Sequence, residues 1–237
     1  MTDRAAEIAA NLADVRARID AACRGAGRDP SEVKLLAVTK TFPAADAEIL
    51  AGLGVRDFAE NRDQEAADKV PQVGAEVRWH MVGRLQRNKA RSVVRWADEV
   101  QSVDSVRLAD ALARAVAAAR DAGERSEPLD VLVQASIDGD PARGGCPLDQ
   151  LPDLAQGVIR SSDLRLRGIM AVAPLGMEPR AAFDRLASVA GALRAEFPTA
   201  GELSCGMSND LEEAIDYGST CVRVGTALLG SRGLASP

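Results

Sequence analysis

The sequence predicts an α/β fold: a single-domain (β/α)8 TIM barrel preceded by one extra helix. The 237 residues are enough for one barrel. After an amphipathic first segment, eight strand-like runs alternate with helical stretches. Such alternation implies parallel strands, because the chain needs a crossover connection to return to the same end of the sheet before each new strand. Eight such units is the number at which a parallel sheet closes into a barrel. An open doubly wound sheet is the alternative that this pattern leaves open.

The first element is predicted to be a helix within residues 1–27. Its apolar residues recur at alternating steps of four and three, which places on one face Ile8, Leu12, Val15, Ile19 and Ala22. Gly25 and Gly27 are typical helix stop signals. The barrel is expected over residues 33–232, and no linker or change of composition marks a second domain within 1–237.

The strands are predicted from short apolar or β-branched runs. Continuously apolar examples, LLAV and VLVQA, are typical of strands buried on both faces. The predicted strands are 33–39, 56–60, 77–82, 99–103, 129–135, 164–171, 202–205 and 220–224. Helical periodicity fills the gaps, most clearly over 105–120 and 181–195, and a short helical turn at 226–230 follows the last strand.

Composition narrows the possible partners and the compartment. With a net charge of -6 and a pI near 5.0, the chain has no basic face for nucleic acid. The charged amino end is neither a signal peptide nor a membrane span, so we expect a cytoplasmic protein without membrane contact. The four cysteines are scattered, which favours free, mostly buried thiols over disulfides or a metal site. We expect a monomer, because no extended apolar surface is evident.

Lys40 ends the first predicted strand, in AVTKTFP. One interpretation is a lysine that extends from the strand end into water. The other is a Schiff-base lysine, because an amine at the mouth of an apolar barrel loses part of its preference for the charged form. Such an amine binds either a carbonyl substrate, as in aldolases, or pyridoxal phosphate.

Two strand–glycine–helix junctions close the chain, LSCGMSND and VRVGTALLG. Their helix starts, at Ser208 and at Gly225-Thr226, are a predicted anion site at the last two strands, where barrels often hold a phosphate. The alternative for the first junction is ordinary helix capping, by Asn209 and Glu212. If Arg223, on the last strand, points into the barrel, its guanidinium faces the ring nitrogen of a cofactor; the alternative is a structural ion pair with Glu60 or another acid.

His80 is the single histidine and Tyr217 the single tyrosine. His80 follows Trp79 on the third predicted strand, and it either contacts a bound ring or is a satisfied core residue. Mechanisms that need a histidine pair or a two-tyrosine relay are excluded by these counts.

Taken together, AVTKTFP, FAENRDQEAADK, WHMVGRLQRNK, LRGIMAV and the long closing block from LSCGMSND to GSR resemble the pyridoxal phosphate homeostasis protein family. The resemblance runs in order from about residue 33 to 232. It implies a fold-type III barrel related to the first domain of alanine racemase. It also implies pyridoxal 5'-phosphate as cofactor, bound as a Schiff base to Lys40. By the same resemblance, Asn61 borders the cofactor, Arg223 faces its ring nitrogen, and Ser208, Gly225 and Thr226 hold its phosphate.

Four positions differ from the family pattern. Ala59 and Cys205 stand where the family usually has Gly and Met. Ser136 and Arg143 stand near its usual Asn and Lys, so a second, lysine-based cofactor contact in this loop is not carried over.

The resemblance implies a binding protein that takes part in intracellular vitamin B6 homeostasis without catalysis, with pyridoxal-phosphate-dependent apoenzymes as recipients. The alternative is an amino-acid racemase, which needs two bases on opposite faces of the substrate carbon. Lys40 is one candidate base, but Tyr217 lies late on a helix, away from the predicted rim. A Schiff-base aldolase without cofactor leaves Arg223 and the doubled anion site unexplained.

Overall fold

The structure is a computed structural model that describes residues 3–140 and 144–230. Eight parallel strands form a barrel: β1 (Lys34–Val38), β2 (Asp57–Glu60), β3 (Arg78–Met81), β4 (Glu99–Val103), β5 (Leu129–Ser136), β7 (Leu164–Ala171), β8 (Glu202–Ser204) and β9 (Cys221–Val224). Their order in the sheet is β4-β3-β2-β1-β9-β8-β7-β5, and β5 pairs back with β4 to close the barrel. A two-residue strand, β6 (Cys146–Pro147), pairs only with β5.

The predicted barrel is therefore confirmed and the open-sheet alternative is wrong. The decisive contact is the parallel pairing of β4 with β5, in which Glu99 lies opposite Asp130 and Val100 opposite Val131. Both ends of each predicted strand lie within two residues of the observed strand ends. Strand periodicity is thus sufficient to place the elements, whereas closure depends on contacts between strands that the sequence alone does not specify.

Helices cover the outside of the barrel. They are α1 (Asp3–Gly25), α2 (Ala44–Gly52), α3 (Asp63–Lys69), α4 (Ala90–Val93), α5 (Val106–Asp121), α6 (Leu151–Ile159), α7 (Pro179–Glu196), α8 (Leu211–Asp216) and α9 (Thr226–Leu229). The two longest barrel helices begin at side-chain caps: Ser105 accepts from the Leu108 N–H, and Glu178 accepts from the Ala181 N–H. No helix among the described residues is long and apolar enough to cross a bilayer.

The extra helix α1 fixes the two short helices that follow β8 and β9. Its predicted apolar stripe is buried from Ile8 to Ile19, while Ala22 is only partly buried. Arg18 makes a bidentate ion pair with Glu212 on α8, at 2.6 and 2.8 Å. Asn11 donates to the Leu228 carbonyl on α9 at 3.0 Å. Because α8 and α9 each span less than two turns, α1 supplies support that their own length does not.

Two apolar regions lie on opposite sides of the sheet. The large core fills the space between the strands and the helices, and it contains Phe58 and Trp79, whose rings pack at 5.4 Å. Inside the barrel, the apolar cluster is small and is made of Leu36, Val38, Ala59 and Cys221. Polar side chains fill much of the remaining interior. All four cysteines are free and buried, as predicted.

Candidate functional site

A cavity of about 820 Å³ opens at the carboxyl ends of the barrel strands. Its volume lies within the usual range for small-molecule sites, roughly 300–1,000 Å³. Six of the seven predicted site residues line it, from four different strand ends: Lys40, Asn61, Ser208, Arg223, Gly225 and Thr226. His80 is not among the lining residues.

Lys40 follows β1 and carries a free amine. It is two residues beyond Val38, which faces the barrel interior, and both residues line the cavity. The ammonium of Lys40 has no hydrogen bond or ion pair within residues 3–140 and 144–230. Lys69 contrasts with it: this lysine is 7% exposed, pairs with Glu60 at 2.5 Å and donates to the Thr39 carbonyl at 2.7 Å. Only the first of these amines is available to a ligand.

The backbone turns sharply directly after Lys40. Thr41 has φ = 70° and is the one non-glycine residue with positive φ in the described part of the chain. A β-branched residue in this conformation costs on the order of 1–3 kcal/mol. The turn is closed by the Phe42 N–H, which donates to the Thr39 carbonyl at 3.0 Å. The chain thus tolerates strain where it leaves the strand at the cavity.

Arg223 is a buried cation that forms no ion pair with the described part of the chain. Its side chain points from β9 into the top of the barrel, and the residue is 5% exposed. Nη1 donates to the Ser204 carbonyl and hydroxyl at 2.7 and 2.9 Å, and Nη2 donates to the Ala171 carbonyl at 2.7 Å. Burial lowers the pKa of this guanidinium. The alternative of an ion pair with Glu60 is wrong, because Glu60 pairs with Lys69.

Three of the five guanidinium N–H groups of Arg223 are accounted for by these bonds. Among the described residues, the other two have no acceptor. Arg223 lines the cavity, so an acceptor atom of a ligand there can take these N–H groups.

A chain of side-chain hydrogen bonds runs from Arg223 back through the barrel interior. The Ser204 hydroxyl, which accepts from Arg223, donates to Gln101 Oε1 at 2.7 Å. Gln101 Nε2 in turn donates to Glu99 Oε1 at 2.8 Å. A carboxylate only accepts hydrogen bonds, so Glu99 fixes the orientation of the Gln101 amide, and this amide fixes the direction of the Ser204 hydroxyl. The guanidinium of Arg223 is therefore held in one orientation.

Gln101 and Ser204 were not predicted from the sequence. A signal for the first exists in the run EVQSV, where Glu99 and Gln101 are polar at alternate positions of a strand that is buried along its whole length. Alternate positions face the same side of a strand. Ser204 has no such signal, since a lone serine at a strand end is common.

His80 is buried in the lower part of this interior and not beside the cavity, so its assignment to the cofactor site is corrected here. Its Nδ1 lies 2.9 Å from Glu99 Oε1 and its Nε2 lies 2.9 Å from Asp57 Oδ1. Burial alone lowers the pKa of His80, but these two bonds outweigh it, and the net pKa is raised. The same pairing outweighs burial at Glu99, whose pKa falls to about 2. His80 is thus the satisfied core residue.

Two backbone turns border the cavity opposite Lys40. Helix α8 begins at Leu211, so Ser208 and Asn209 lie in the turn before it. Helix α9 begins at Thr226, directly after Gly225. Among the described residues, the backbone N–H groups of Ser208, Asn209 and Thr226 have no acceptor. Three unpaired donors at one cavity wall suit an anion.

The capping alternative for the first turn is wrong. Asp210 is the residue before α8, and its carboxylate accepts from the Met207 N–H at 2.6 Å. Glu212 instead pairs with Arg18 on α1. The hydroxyl of Ser208 accepts from the Ala227 N–H at 3.4 Å and so links the two turns.

Glycines permit the close approach of backbone at this rim. A Cβ at Gly83 would lie 2.0 Å from the Asn61 carbonyl oxygen, so only glycine lets the loop after β3 support Asn61. A Cβ at Gly225 would lie 3.1 Å from the Val38 carbonyl oxygen, next to Lys40.

Ser136 and Cys205, two of the positions that differ from the family pattern, do not line the cavity. Ser136 is buried and its hydroxyl has no partner among the described atoms, and Arg143 lies outside the described residues. Burial raises the pKa of Cys205 to about 11, which leaves the thiol protonated. Within residues 3–140 and 144–230, no three His, Cys, Asp or Glu side chains are grouped as a metal ion requires.

Known proteins resemble this chain in sequence and in fold. The family described as "Alanine racemase, N-terminal domain" matches residues 7–233. A curated protein of Mycobacterium tuberculosis, named pyridoxal phosphate homeostasis protein, is 49% identical over 99% of this chain and 96% of its own length. The structure of PipY from Synechococcus elongatus with pyridoxal phosphate bound has 34% identity and a TM-score of 0.77, covering 94% of this chain and all of PipY.

Alanine racemase from Corynebacterium glutamicum shares the fold at a TM-score of 0.70, with 15% identity. The match covers 98% of this chain but 62% of the racemase. At this identity the likeness shows the fold alone.

Replacing Gln101 by Met is expected to lower the free energy of unfolding by about 1–3 kcal/mol, because the Ser204 hydroxyl loses its acceptor and Glu99 loses a donor. Urea denaturation measures the change. Gln156→Met, at an exposed position of α6, is the matched control and should change stability by less than about 0.5 kcal/mol. Equal effects of the two substitutions would contradict the role given to Gln101.

The stability contributed by His80 is expected to decrease with rising pH. Its folded-state pKa lies above the ordinary value of 6.5, so the stabilisation is complete below that pH and is lost as pH rises through the folded pKa. The difference in unfolding free energy between the wild type and His80→Gln should therefore shrink from about pH 6 to pH 9. The charges that face the imidazole are Asp57 and Glu99, with Lys34 and Arg78 beside them.

Glu99→Gln is a second test of this pairing, because loss of the carboxylate should lower the pKa of His80. As His80 is the single histidine, its NMR titration is unambiguous. A pH-independent difference, or an unchanged titration in Glu99→Gln, would show that the pairing does not control the charge.

Proposed function

Since the chain belongs to the alanine racemase N-terminal domain family, together with the pyridoxal phosphate homeostasis proteins, we propose that it binds pyridoxal 5'-phosphate in the cavity at the carboxyl ends of the strands. In this proposal Lys40 holds the aldehyde as a Schiff base. The protein acts in intracellular vitamin B6 homeostasis as a carrier of the cofactor and not as a catalyst.

The observation that carries this proposal is the match between three groups of the cavity and three groups of the cofactor. The unpaired amine of Lys40 suits an aldehyde. The free N–H groups of the buried Arg223 suit the lone pair of a ring nitrogen. The unpaired backbone N–H groups at Ser208 and Thr226 suit a phosphate. Each of these groups lacks a partner among the described residues, so the chain's own atoms do not compete with the ligand.

Arg223 also disfavours reactions that need a strong electron sink, such as transamination. Pyridoxal phosphate supplies an electron sink to enzymes, and the sink is strongest when its ring nitrogen is protonated. A guanidinium does not give up its proton and can only donate to that nitrogen. Gln101 and Ser204 hold Arg223 in this orientation. The ring end of the site is therefore built for recognition.

The racemase alternative has no well-placed second base among the described residues of this cavity. Tyr217 ends helix α8, where it packs against the core, and it does not line the cavity. Among the described lining residues, the ionisable groups are Lys40, Asp210 and Arg223. Asp210 lies in the same turn as Ser208, on the wall assigned to the phosphate. A cofactor-free aldolase would leave the buried guanidinium and the unpaired N–H groups without a function.

We further propose a cytoplasmic monomer that supplies pyridoxal-phosphate-dependent apoenzymes. Four buried free cysteines support a reducing compartment. Recipients are proposed because a carrier is useful only if the cofactor leaves it for another protein.

Borohydride reduction of the protein after addition of pyridoxal phosphate is expected to fix the cofactor to Lys40. The chain has four lysines, so peptide mapping separates the candidates: Lys34, Lys40, Lys69 and Lys89. Lys40→Ala should lose the label and the visible absorption band while its circular dichroism stays that of the wild type.

Lys89→Ala is the matched control, because this lysine is partly exposed and lies 4.0 Å from Asp63. It should keep the label. A wild-type protein whose visible spectrum does not respond to pyridoxal phosphate would disprove the proposed function, and label on another lysine would disprove the role of Lys40.

Ser208→Ala and Thr226→Ala keep the backbone N–H groups but remove the hydroxyls beside them, and each is expected to weaken affinity for pyridoxal phosphate by about 1–3 kcal/mol if the phosphate is left underpaired. Titration of the apo-protein, followed by absorbance, measures the change. Ser188→Ala, at an exposed position of α7, should leave the affinity unchanged. Unchanged affinity in both site variants would mean that neither hydroxyl contacts the phosphate.

A further inference from the structure

A second cleft, of about 1430 Å³, lies beside the cofactor cavity and has the opposite charge to the chain as a whole. It is bounded by the start of α3, the loop after β3 and the first half of α5. Six basic residues line it: Arg62, Arg84, Arg87, Lys89, Arg107 and Arg114. The acidic lining residues are Asp63 and Asp104, whereas the full chain has 35 acidic and 29 basic residues. We call this surface the arginine cleft.

Most of this positive charge is not neutralised within the described residues. Arg62 pairs with Glu65 at 2.9 Å, and Lys89 lies 4.0 Å from Asp63. Asp63 also accepts from the buried Trp96 indole at 3.0 Å.

The remaining four cations are arginines without an ion pair or side-chain hydrogen bond among the described residues: Arg84, Arg87, Arg107 and Arg114. All four are exposed. Guanidinium groups bind carboxylates in bidentate geometry, so four such groups in one cleft suit an anionic partner.

We propose that the arginine cleft docks an acidic segment of a partner protein. The cleft exceeds the roughly 300–1,000 Å³ typical of small-molecule sites. Its unpaired cations are exposed, unlike the buried Arg223 of the cofactor cavity. A nucleic acid fits less well, because the net charge is -6 and, among the described residues, no aromatic side chain lines the cleft for base stacking.

Helix α5 sets the spacing of the partner's charges. Arg107 and Arg114 are seven residues apart, two turns on one face, and therefore about 10.5 Å apart along the helix axis. Leu108 and Ala111 line the cleft between them. A helical segment with acidic side chains seven residues apart matches this spacing.

The arginine cleft adjoins the cofactor cavity. Asn61 lines both spaces, and the loop after β3 runs from one to the other. A protein docked in the arginine cleft would therefore lie next to the mouth of the cofactor site. This placement rests on the proposed function and identifies the partner as a recipient of the cofactor.

A fluorescein-labelled helical peptide with glutamates seven residues apart tests the docking by fluorescence anisotropy. The same peptide with every glutamate replaced by glutamine is the peptide control. The glutamate peptide should bind the full-length protein, more weakly as salt is added, and the glutamine peptide should bind at least about tenfold more weakly.

Arg107→Glu with Arg114→Glu should weaken binding of the glutamate peptide by at least about tenfold. The matched control is Arg160→Glu with Arg185→Glu, two exposed arginines outside the cleft that give the same change in net charge. This control should weaken binding by less than about threefold. Arg107→Gln with Arg114→Gln removes the charges without reversing them and serves if the first double variant folds poorly.

Equal weakening by the two charge-reversal variants, or no binding by the wild type, would overturn the proposal. Displacement of the peptide by inorganic pyrophosphate or by single-stranded DNA at lower concentration than by unlabelled peptide would also overturn it, in favour of a small-anion or nucleic-acid site. Binding is measured with and without pyridoxal phosphate. If the protein does not bind the cofactor, the proposed function is disproved, but peptide binding measured without pyridoxal phosphate still tests the docking.

Discussion

The buried guanidinium of Arg223 is the feature on which the organisation of the site depends. A cation that is 5% exposed and has no carboxylate partner among the described residues needs neutral acceptors for its N–H groups. Carbonyls of β7 and β8 and the Ser204 hydroxyl satisfy three of them. The bonds behind Ser204, through Gln101 to Glu99, fix the directions of these donors and acceptors. The barrel interior is therefore polar because it supports a charge at its upper end.

The lower end of the same interior is organised differently. There His80 lies between two carboxylates, and opposite charges neutralise one another within hydrogen-bond distance. Lys69 and Glu60 form a similarly closed pair beside β1. His80 and Lys69 are thus paired with acids, whereas Lys40 and Arg223, which line the cavity, form no ion pair with the described residues.

The surface next to the cavity extends the same distinction. Arg62 and Lys89 have acidic neighbours, while four arginines of the arginine cleft have none among the described residues. An acidic chain that concentrates unpaired arginines beside its cofactor cavity has a local field opposite to its net charge. Such a field steers an acidic surface to one place on the molecule.

The sequence alone determined the eight strands, the first helix and most of the cavity residues. Strand and helix periodicities are local, and the carboxyl ends of parallel strands lie at one rim, so Lys40, Ser208, Arg223, Gly225 and Thr226 could be grouped without coordinates. The tertiary structure decided which polar side chains are paired. His80 pairs with two carboxylates and therefore lies away from the cavity. Glu60 pairs with Lys69 and not with Arg223, whereas Gln101 and Ser204 support Arg223. Pairing depends on distances of about 3 Å between side chains far apart in sequence, and no local pattern encodes those distances.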